Sequence, residues 1–241
     1  MWGVLSLLGL SVALSGCGSG GSTPQGRVRV INALTNVPNN ANVDVNVNNG
    51  QATSSNIGFG TANSSAVTVD AGNVPVSILS TGTTTTLAGP TTINVAQGAD
   101  NLVLVTGTSG TTGATAPQVV RLGQVDLGNP PVSNQARIYF VNAAPGSADA
   151  TFNLTVTNPN GLPATSTATA TALAYPAMSA PQFVTVVDAA STVSLTVTSG
   201  TETIPLNTTA IAGGNTYAVV LFGRQTSTST GLTTQIVRLN P

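Results

Sequence analysis

Arg27-Val28-Arg29-Val30-Ile31-Asn32-Ala33 returns 110 residues later as Arg137-Ile138-Tyr139-Phe140-Val141-Asn142-Ala143. Both copies open on arginine, continue as an apolar run and close on Asn-Ala. Each reads as the first strand of a repeated unit, so the chain is a tandem duplication. Downstream segments recur in the same order. Phe152–Val156 answers Val43–Val47, Val187-Asp188-Ala189 answers Val69-Asp70-Ala71, and Leu221-Phe222-Gly223 answers Val105-Thr106-Gly107. Gln235-Ile236-Val237-Arg238-Leu239 repeats Gln118-Val119-Val120-Arg121-Leu122 at an offset of 117.

Composition fixes the fold class. The 241 residues suffice for two ordinary domains. Charged residues make up only 5% and hydrophobic residues 41%, and that balance predicts folding rather than disorder. Thr, Ser, Asn, Gly and Val dominate. β-Branched residues suit a pleated, half-buried surface, while Gly and Asn supply turns. Val43-Asp44-Val45-Asn46-Val47 alternates strictly, as a half-buried strand does, and Asn48-Asn49-Gly50 ends it. Further strands are predicted at Ser65–Val69, Val74–Ser80, Thr91–Val95, Leu102–Gly107 and Gln118–Val125. With Arg27–Ala33 these make seven strands in the first unit, the spacing of an immunoglobulin-like β-sandwich. The expected architecture is all-β: two tandem sandwiches at residues 27–127 and 135–241, joined by a proline-containing linker at 128–134. Thr165–Ala172 has no close counterpart and reads as an edge strand or loop. Tyr217, before the run Ala218–Phe222, resembles a tyrosine corner, with Asn101 in its place in the first unit.

The N-terminus carries the address. Residues 1–16 are an apolar run ending at the only cysteine, and Leu14-Ser15-Gly16-Cys17 resembles the bacterial lipobox. There the cysteine is acylated and the preceding peptide removed. The run is short for a transmembrane helix, which needs about 20 apolar residues, whereas two or three acyl chains anchor stably. Residues 17–26 then form the acylated cysteine and a flexible Gly/Ser tether. The predicted setting is a lipid-anchored protein of the bacterial cell envelope, with the outer membrane favoured by the absence of aspartate after Cys17. Its partners are the membrane, through Cys17, and an envelope protein or polysaccharide.

Val30-Ile31-Asn32-Ala33, Val43-Asp44-Val45, Phe59-Gly60 and Asp70-Ala71-Gly72 together resemble an uncharacterised domain family of bacterial lipoproteins and secreted surface proteins. The second unit carries Val141-Asn142-Ala143-Ala144-Pro145 of the same pattern. It departs at Phe152-Asn153-Leu154, which lacks the aspartate, and at Tyr175-Pro176, where Phe-Gly is expected. The resemblance implies tandem immunoglobulin-like sandwiches at the envelope and carries over no catalytic residue.

Several chemistries are excluded by composition. The chain has no histidine and no lysine, which removes Ser-His-Asp and Cys-His catalysis, histidine-ligated zinc and Schiff-base chemistry. Its six arginines cannot neutralise many phosphates, so nucleic acid is not an expected partner. A glycosidase needs two carboxylates across a cleft, yet Asp44, Asp70, Asp100, Asp126, Asp149, Asp188 and Glu202 are scattered as turn or capping residues. The Asp44–Gly50 stretch lacks the spacing of a calcium loop. No catalytic residue, metal or cofactor is expected. Arg27/Arg137 and Arg121/Arg238 recur in both units and read as solvated strand ends or partners of Asp44 and Asp188; unmatched Arg224 reads as a loop tip. Tyr139, Phe140, Phe152, Phe183, Tyr217 and Phe222 read as core, and Tyr175 as surface. The sequence names no ligand-binding residue. The expected function is a non-enzymatic binding, adhesion or structural module, with glycan binding as the alternative.

Overall fold

The computed structural model describes residues 23–38, 42–49, 52–159, 163–187, 191–204, 210–223 and 231–240. The predicted leader, Cys17, Gly50, Asp188 and Arg224 lie outside them. The described chain is all-β, with no α-helix, and builds β-sandwich domains.

The first half contributes β1 (Gln25–Asn32), β2 (Val43–Val47), β3 (Ala52–Ile57), β4 (Val67–Asp70), β5 (Gly72–Ser80), β6 (Thr86–Val95), β7 (Asp100–Thr106) and β8 (Gln118–Val125). They form two four-stranded sheets, β4-β1-β7-β8 and β3-β2-β5-β6. The second half contributes β9 (Gln135–Ala143), β10 (Ala150–Thr157), β11 (Thr165–Leu173), β12 (Ala177–Met178), β13 (Gln182–Thr185), β14 (Thr192–Ser199), β15 (Glu202–Ile204), β16 (Thr216–Phe222) and β17 (Thr233–Arg238). Its sheets are β12-β9-β16-β17, with β13 also on β9, and β11-β10-β14-β15. In each half the central pair is parallel, β1 with β7 and β9 with β16, and every other pairing is antiparallel.

The first half thus has eight strands where the sequence pattern gave seven. The missing one is β3, Ala-Thr-Ser-Ser-Asn-Ile, which shows no apolar alternation because it lies at a sheet edge. Ladder register also corrects two repeat alignments. β4 and β13 pair with equivalent positions of β1 and β9, setting Thr68 opposite Arg27 and Phe183 opposite Arg137. The counterpart of Val69-Asp70-Ala71 is therefore Val184-Thr185-Val186, three residues before the stretch that resembles it. At the last strand, Gln118 pairs with Thr106 but Thr233 pairs with Phe222, so the two copies of Gln-(Val/Ile)-Val-Arg-Leu sit two positions out of step. A slip of two preserves the face each side chain occupies. Val119 and Ile236 still point into their own sandwiches.

Three apolar cores result. Val28, Val30, Val103 and Val105 pack against Val45, Val76 and Ile78 inside the first sandwich. Ile138, Phe140, Val219 and Leu221 pack against Phe152, Leu154 and Val197 inside the second. The alternate residues of the same strands, Ile31, Leu102, Leu104, Tyr139, Val141, Ala218, Val220 and Phe222, form a third core between the two sandwiches. Strands β7 and β16 are buried at every position, because each is covered on both faces. The molecule is a four-layer stack whose two central sheets are shared by neighbouring cores.

The contacts across the stack are reciprocal. Phe59 of the first half packs on Phe222 of the second, ring centroids 5.4 Å apart. Its counterpart Tyr175 reaches back, its hydroxyl accepting a hydrogen bond from Gln118 Nε2 at 2.7 Å. Gly60, at φ +74°, lies so close to the Gln235 side chain that a Cβ would collide with it. The Phe-Gly motif is thereby explained as a docking element, and Tyr175 is half-buried at the seam rather than free on the surface.

Because the central sheets belong to two cores each, the halves are expected to unfold together. Calorimetry should give one transition with equal calorimetric and van't Hoff enthalpies. Phe222→Ala, emptying part of the shared core, should cost about 3–5 kcal/mol and lower the single Tm by about 10 °C. Two separated transitions in the parent chain would contradict a shared core.

Candidate functional site

The repeated Asn-Ala signature comes first, because it is the most regular polar feature. Asn32 and Asn142 are buried at the ends of β1 and β9. Asn32 Nδ2 donates to Ile57 O at 3.0 Å, while its Oδ1 accepts from Leu34 N at 3.0 Å. Asn142 does the same, to Leu173 O at 3.0 Å and from Ala144 N at 3.2 Å. Two residues earlier on each strand, a second polar side chain stands in for a missing partner strand. Val30 N donates to Asn63 Oδ1 at 2.9 Å, and Phe140 N donates to Ser179 Oγ at 3.0 Å. These groups satisfy buried backbone where the strands end, so the signature is structural.

The repeated arginines do different work from that expected. Arg27 and Arg137 pair with Asp100 and Asp126 and not with Asp44, while Asp188 lies outside the described residues. Arg27 Nη2 donates to Asp100 Oδ2 at 2.8 Å, with Nε 2.5 Å from Oδ1. The same Oδ2 accepts from Leu127 N at 3.1 Å. Arg137 Nη2 lies 3.2 Å from Asp126 Oδ2 and donates to Asn129 O at 3.0 Å, while Nη1 donates to Asp126 O. Arg137 therefore grips the connector between the halves directly, and Arg27 does so through Asp100, one from each sandwich. Phe183, expected in the core, is 48% exposed and carries the Arg137 guanidinium over its ring at 5.4 Å. Arg121 Nε donates to Asn101 Oδ1 at 2.8 Å. Tyr217, at the position matching Asn101, accepts from Ala212 N at 3.0 Å, the upstream backbone bond of a tyrosine corner.

Arg27, Asp100, Gln124, Asp126, Asn129 and Tyr139 line an open cleft of about 360 Å³ at the seam. It is the richest cluster of chemistry in the described chain, and it does bring two carboxylates into one cleft. Each carboxylate is held by a guanidinium and by a connector N–H, Asn129 N donating to Asp126 Oδ1 at 3.1 Å. Tyr139 is buried and its hydroxyl accepts from Asp126 N at 3.3 Å; burial pushes that phenol above its ordinary pKa, outweighing the Asp126 N–H and Arg137. The cluster is arranged to hold the connector, not to flank a scissile bond. Deeper in the seam, Arg29 is buried with its Nε lacking a hydrogen-bond partner among the described residues, and desolvation lowers its pKa.

Asp44 sits elsewhere, on the outer sheet. Its Oδ1 accepts from Asn56 N at 2.8 Å and from the Thr81 hydroxyl at 2.9 Å, and its Oδ2 from Gly82 N at 3.2 Å. Partial burial raises its pKa, but these three donors outweigh it and the carboxyl titrates below the usual aspartate value. This is loop bracing. No group of three or more Cys, Asp or Glu residues able to hold a metal occurs among the described residues.

With this geometry in place, the sequence comparison is informative. Residues 26–153 match the profile of DUF4397, a domain of unknown function. The chain belongs to that family. The match covers the whole first sandwich and runs through β9 into β10. No curated protein matches the chain.

Linear sequence held no signal for the arginine partners, since Arg27 and Asp100 are 73 positions apart. Urea unfolding tests their role. Asp100→Ala leaves a partly shielded guanidinium and a connector N–H without a partner, so it should cost about 2 kcal/mol. Asp126→Ala, whose carboxylate is half exposed, should cost under about 1 kcal/mol. Equal losses would contradict the burial argument. Asp44 gives a pH signature. Its folded pKa is depressed, so its stabilisation is present at neutral pH and is lost as pH falls below about 4. The stability difference between the parent and Asp44→Ala should be about 1 kcal/mol at pH 7 and shrink towards zero near pH 2.

Proposed function

We propose that the protein is a non-enzymatic, lipid-anchored component of a bacterial cell envelope that presents a rigid, sparsely charged binding surface. The observation that carries this reading is where the charges lie. Arg27, Arg137, Asp100 and Asp126 are used at the seam, and Arg29 is buried within it. Elsewhere the open surface is mostly hydroxyls, amides and backbone, with Asp70, Arg121, Asp149, Glu202 and Arg238 as scattered exposed charges. A groove of about 460 Å³ at one end of the second sandwich shows the character, lined by Gly146, Ser147, Ser199, Gly200, Thr201 and Glu202. Such surfaces recognise through hydrogen bonds and shape rather than salt-dependent steering. The lipobox-like Leu14–Cys17 and the following Gly/Ser tether support attachment through an acylated Cys17 and an immunoglobulin-like display body beyond it.

A glycan ligand is the second reading. It is favoured by the amide and carboxylate groups of Gln124, Asp126 and Asn129 in the seam cleft. The buried Tyr139 offers no exposed ring there for a sugar to stack upon.

Metabolic labelling with an alkyne fatty acid tests the anchor. The parent protein should take up label and sediment with membranes, and Cys17→Ser should lose both. Unlabelled protein found wholly in the soluble fraction would refute lipid anchoring.

A further inference from the structure

We propose that the open seam between β3 and β4 takes a neutral, extended peptide strand, and that this groove is the binding site of the first sandwich. The proposal deepens the reading of the protein as a binding module and rests on it. The two halves provide an internal comparison. In the second, the edge of β11 faces β13, and side chains close the gap. The Gln182 carboxamide accepts from Thr169 N at 2.8 Å and donates to Thr169 O, so it pairs with both backbone groups of one edge residue. Thr185 N donates to Ser166 Oγ at 2.9 Å beside it. A primary carboxamide used in this way imitates one residue of an added antiparallel strand.

In the first half, ladder register puts Ser54 where Ala168 stands and Val67 where Gln182 stands, so the bulge beginning at Ser55 takes the place of Thr169. Asn46 pairs with Thr53 as Thr155 pairs with Thr167, and Val67 faces Val28 as Gln182 faces Ile138. Valine cannot make the two bonds. No hydrogen bond between described residues of β3 and β4 crosses the gap. What remains is an open groove of about 440 Å³ lined by Thr53, Ser54, Ser55, Ser64, Ser65 and Thr68.

The other described edges are guarded. β6 carries Pro90, β8 carries Arg121 and a bulge, β17 ends on Arg238, β4 ends on Asp70 after four residues, and β12 and β15 have two and three residues. β3 has six residues with neither charge nor proline, and its one bulge, at Ser55–Asn56 with Asn56 at φ +63°, leaves Ala52–Ser54 as regular edge. The groove is uncharged throughout, so a charged side chain entering it would lose hydration without a partner. The matching occupant is a polypeptide segment of small or hydroxyl-bearing residues, held by main-chain hydrogen bonds along β3.

The test uses the full chain and the acetylated hexapeptide Thr-Val-Thr-Val-Ser-Thr at millimolar concentration. It is read by amide hydrogen exchange and by titration stoichiometry. The expected result is protection of the Thr53–Ser55 amides with one peptide per chain. The same peptide N-methylated at alternate residues should not bind. Val67→Gln should close the groove and abolish binding, while Gln182→Val, at a half-buried position of the second sandwich, should leave the stoichiometry at one. Absence of protection at Thr53–Ser55 overturns the proposal, as does binding indifferent to N-methylation or to Val67→Gln. Protection by a neutral oligosaccharide but not by the peptide overturns it in favour of a glycan. Fatty-acid labelling at Cys17 is read independently, so failure of the anchor and failure of the groove are distinguishable.

Discussion

The structure depends on burying both faces of the strands at the centre of each half. β7 and β16 are buried at every position, and their apolar side chains alternate between two cores. A single sandwich can cover one face of such a strand. The other face of Leu102, Leu104, Val220 and Phe222 would stay wet, at a cost of about 25 cal/mol for each Å² of apolar surface. Stacking the two inner sheets removes that cost for both halves at once. The parallel pairing of β1 with β7 and of β9 with β16 belongs to the same economy, since parallel sheets are stable mainly where both faces are covered. From this constraint follow the docking of Phe59 and Tyr175, the need for glycine at Gly60, and a connector short enough to be gripped by two arginines.

A chain with so few charges meets a second constraint. Edge strands are commonly protected by lysine, and here there is none. Protection falls to proline in β6, a bulge in β8, short strands and the Gln182 carboxamide on β11. Buried backbone at the strand ends is satisfied by the side chains of Asn32, Asn142, Asn63 and Ser179. Arg27 and Arg137 are placed where a bidentate donor is worth most, beside the connector, where each bonds a carboxylate or a carbonyl as well as balancing charge.

The sequence carried the fold class and most of the strands because their signals are local. Val43–Val47 alternates, and the Asn-Ala closures recur unchanged. β3 was invisible because Ser and Thr occupy both of its faces. The repeat was legible only in part, because its offset grows from 110 at Asn32/Asn142 to 116 at Asn63/Ser179, and short matches such as Val187-Asp188-Ala189 then align by chance. A two-residue slip in the last strand leaves no trace in hydrophobic pattern, since both registers keep the same faces. The third core was available in principle. Runs such as Leu102–Val105 and Ala218–Phe222 carry more apolar residues than one buried face requires. The arginine–aspartate partners and the Gln182–Thr169 closure had no linear signature, for each joins residues that only the sandwich brings together.

Duplication supplies the last step of the functional argument. Two copies under the same folding constraint should keep what folding needs, and they do: the asparagine caps, the parallel central pair and the inward-facing alternation recur in both halves. A feature present in one copy and absent from its equivalent position in the other is not required by the fold. The tyrosine corner, the cation over Phe183 and the carboxamide closure of β11 belong to the second half alone. Together they brace that half around β13 and the start of β16. The first half keeps an open hydroxyl groove at the seam its twin has sealed. Leaving it open exposes an edge that could be blocked with one carboxamide. An edge that is easily closed, and is closed in the sister copy, is the ground on which the proposed binding role of the first sandwich rests, with the second as its proposed support.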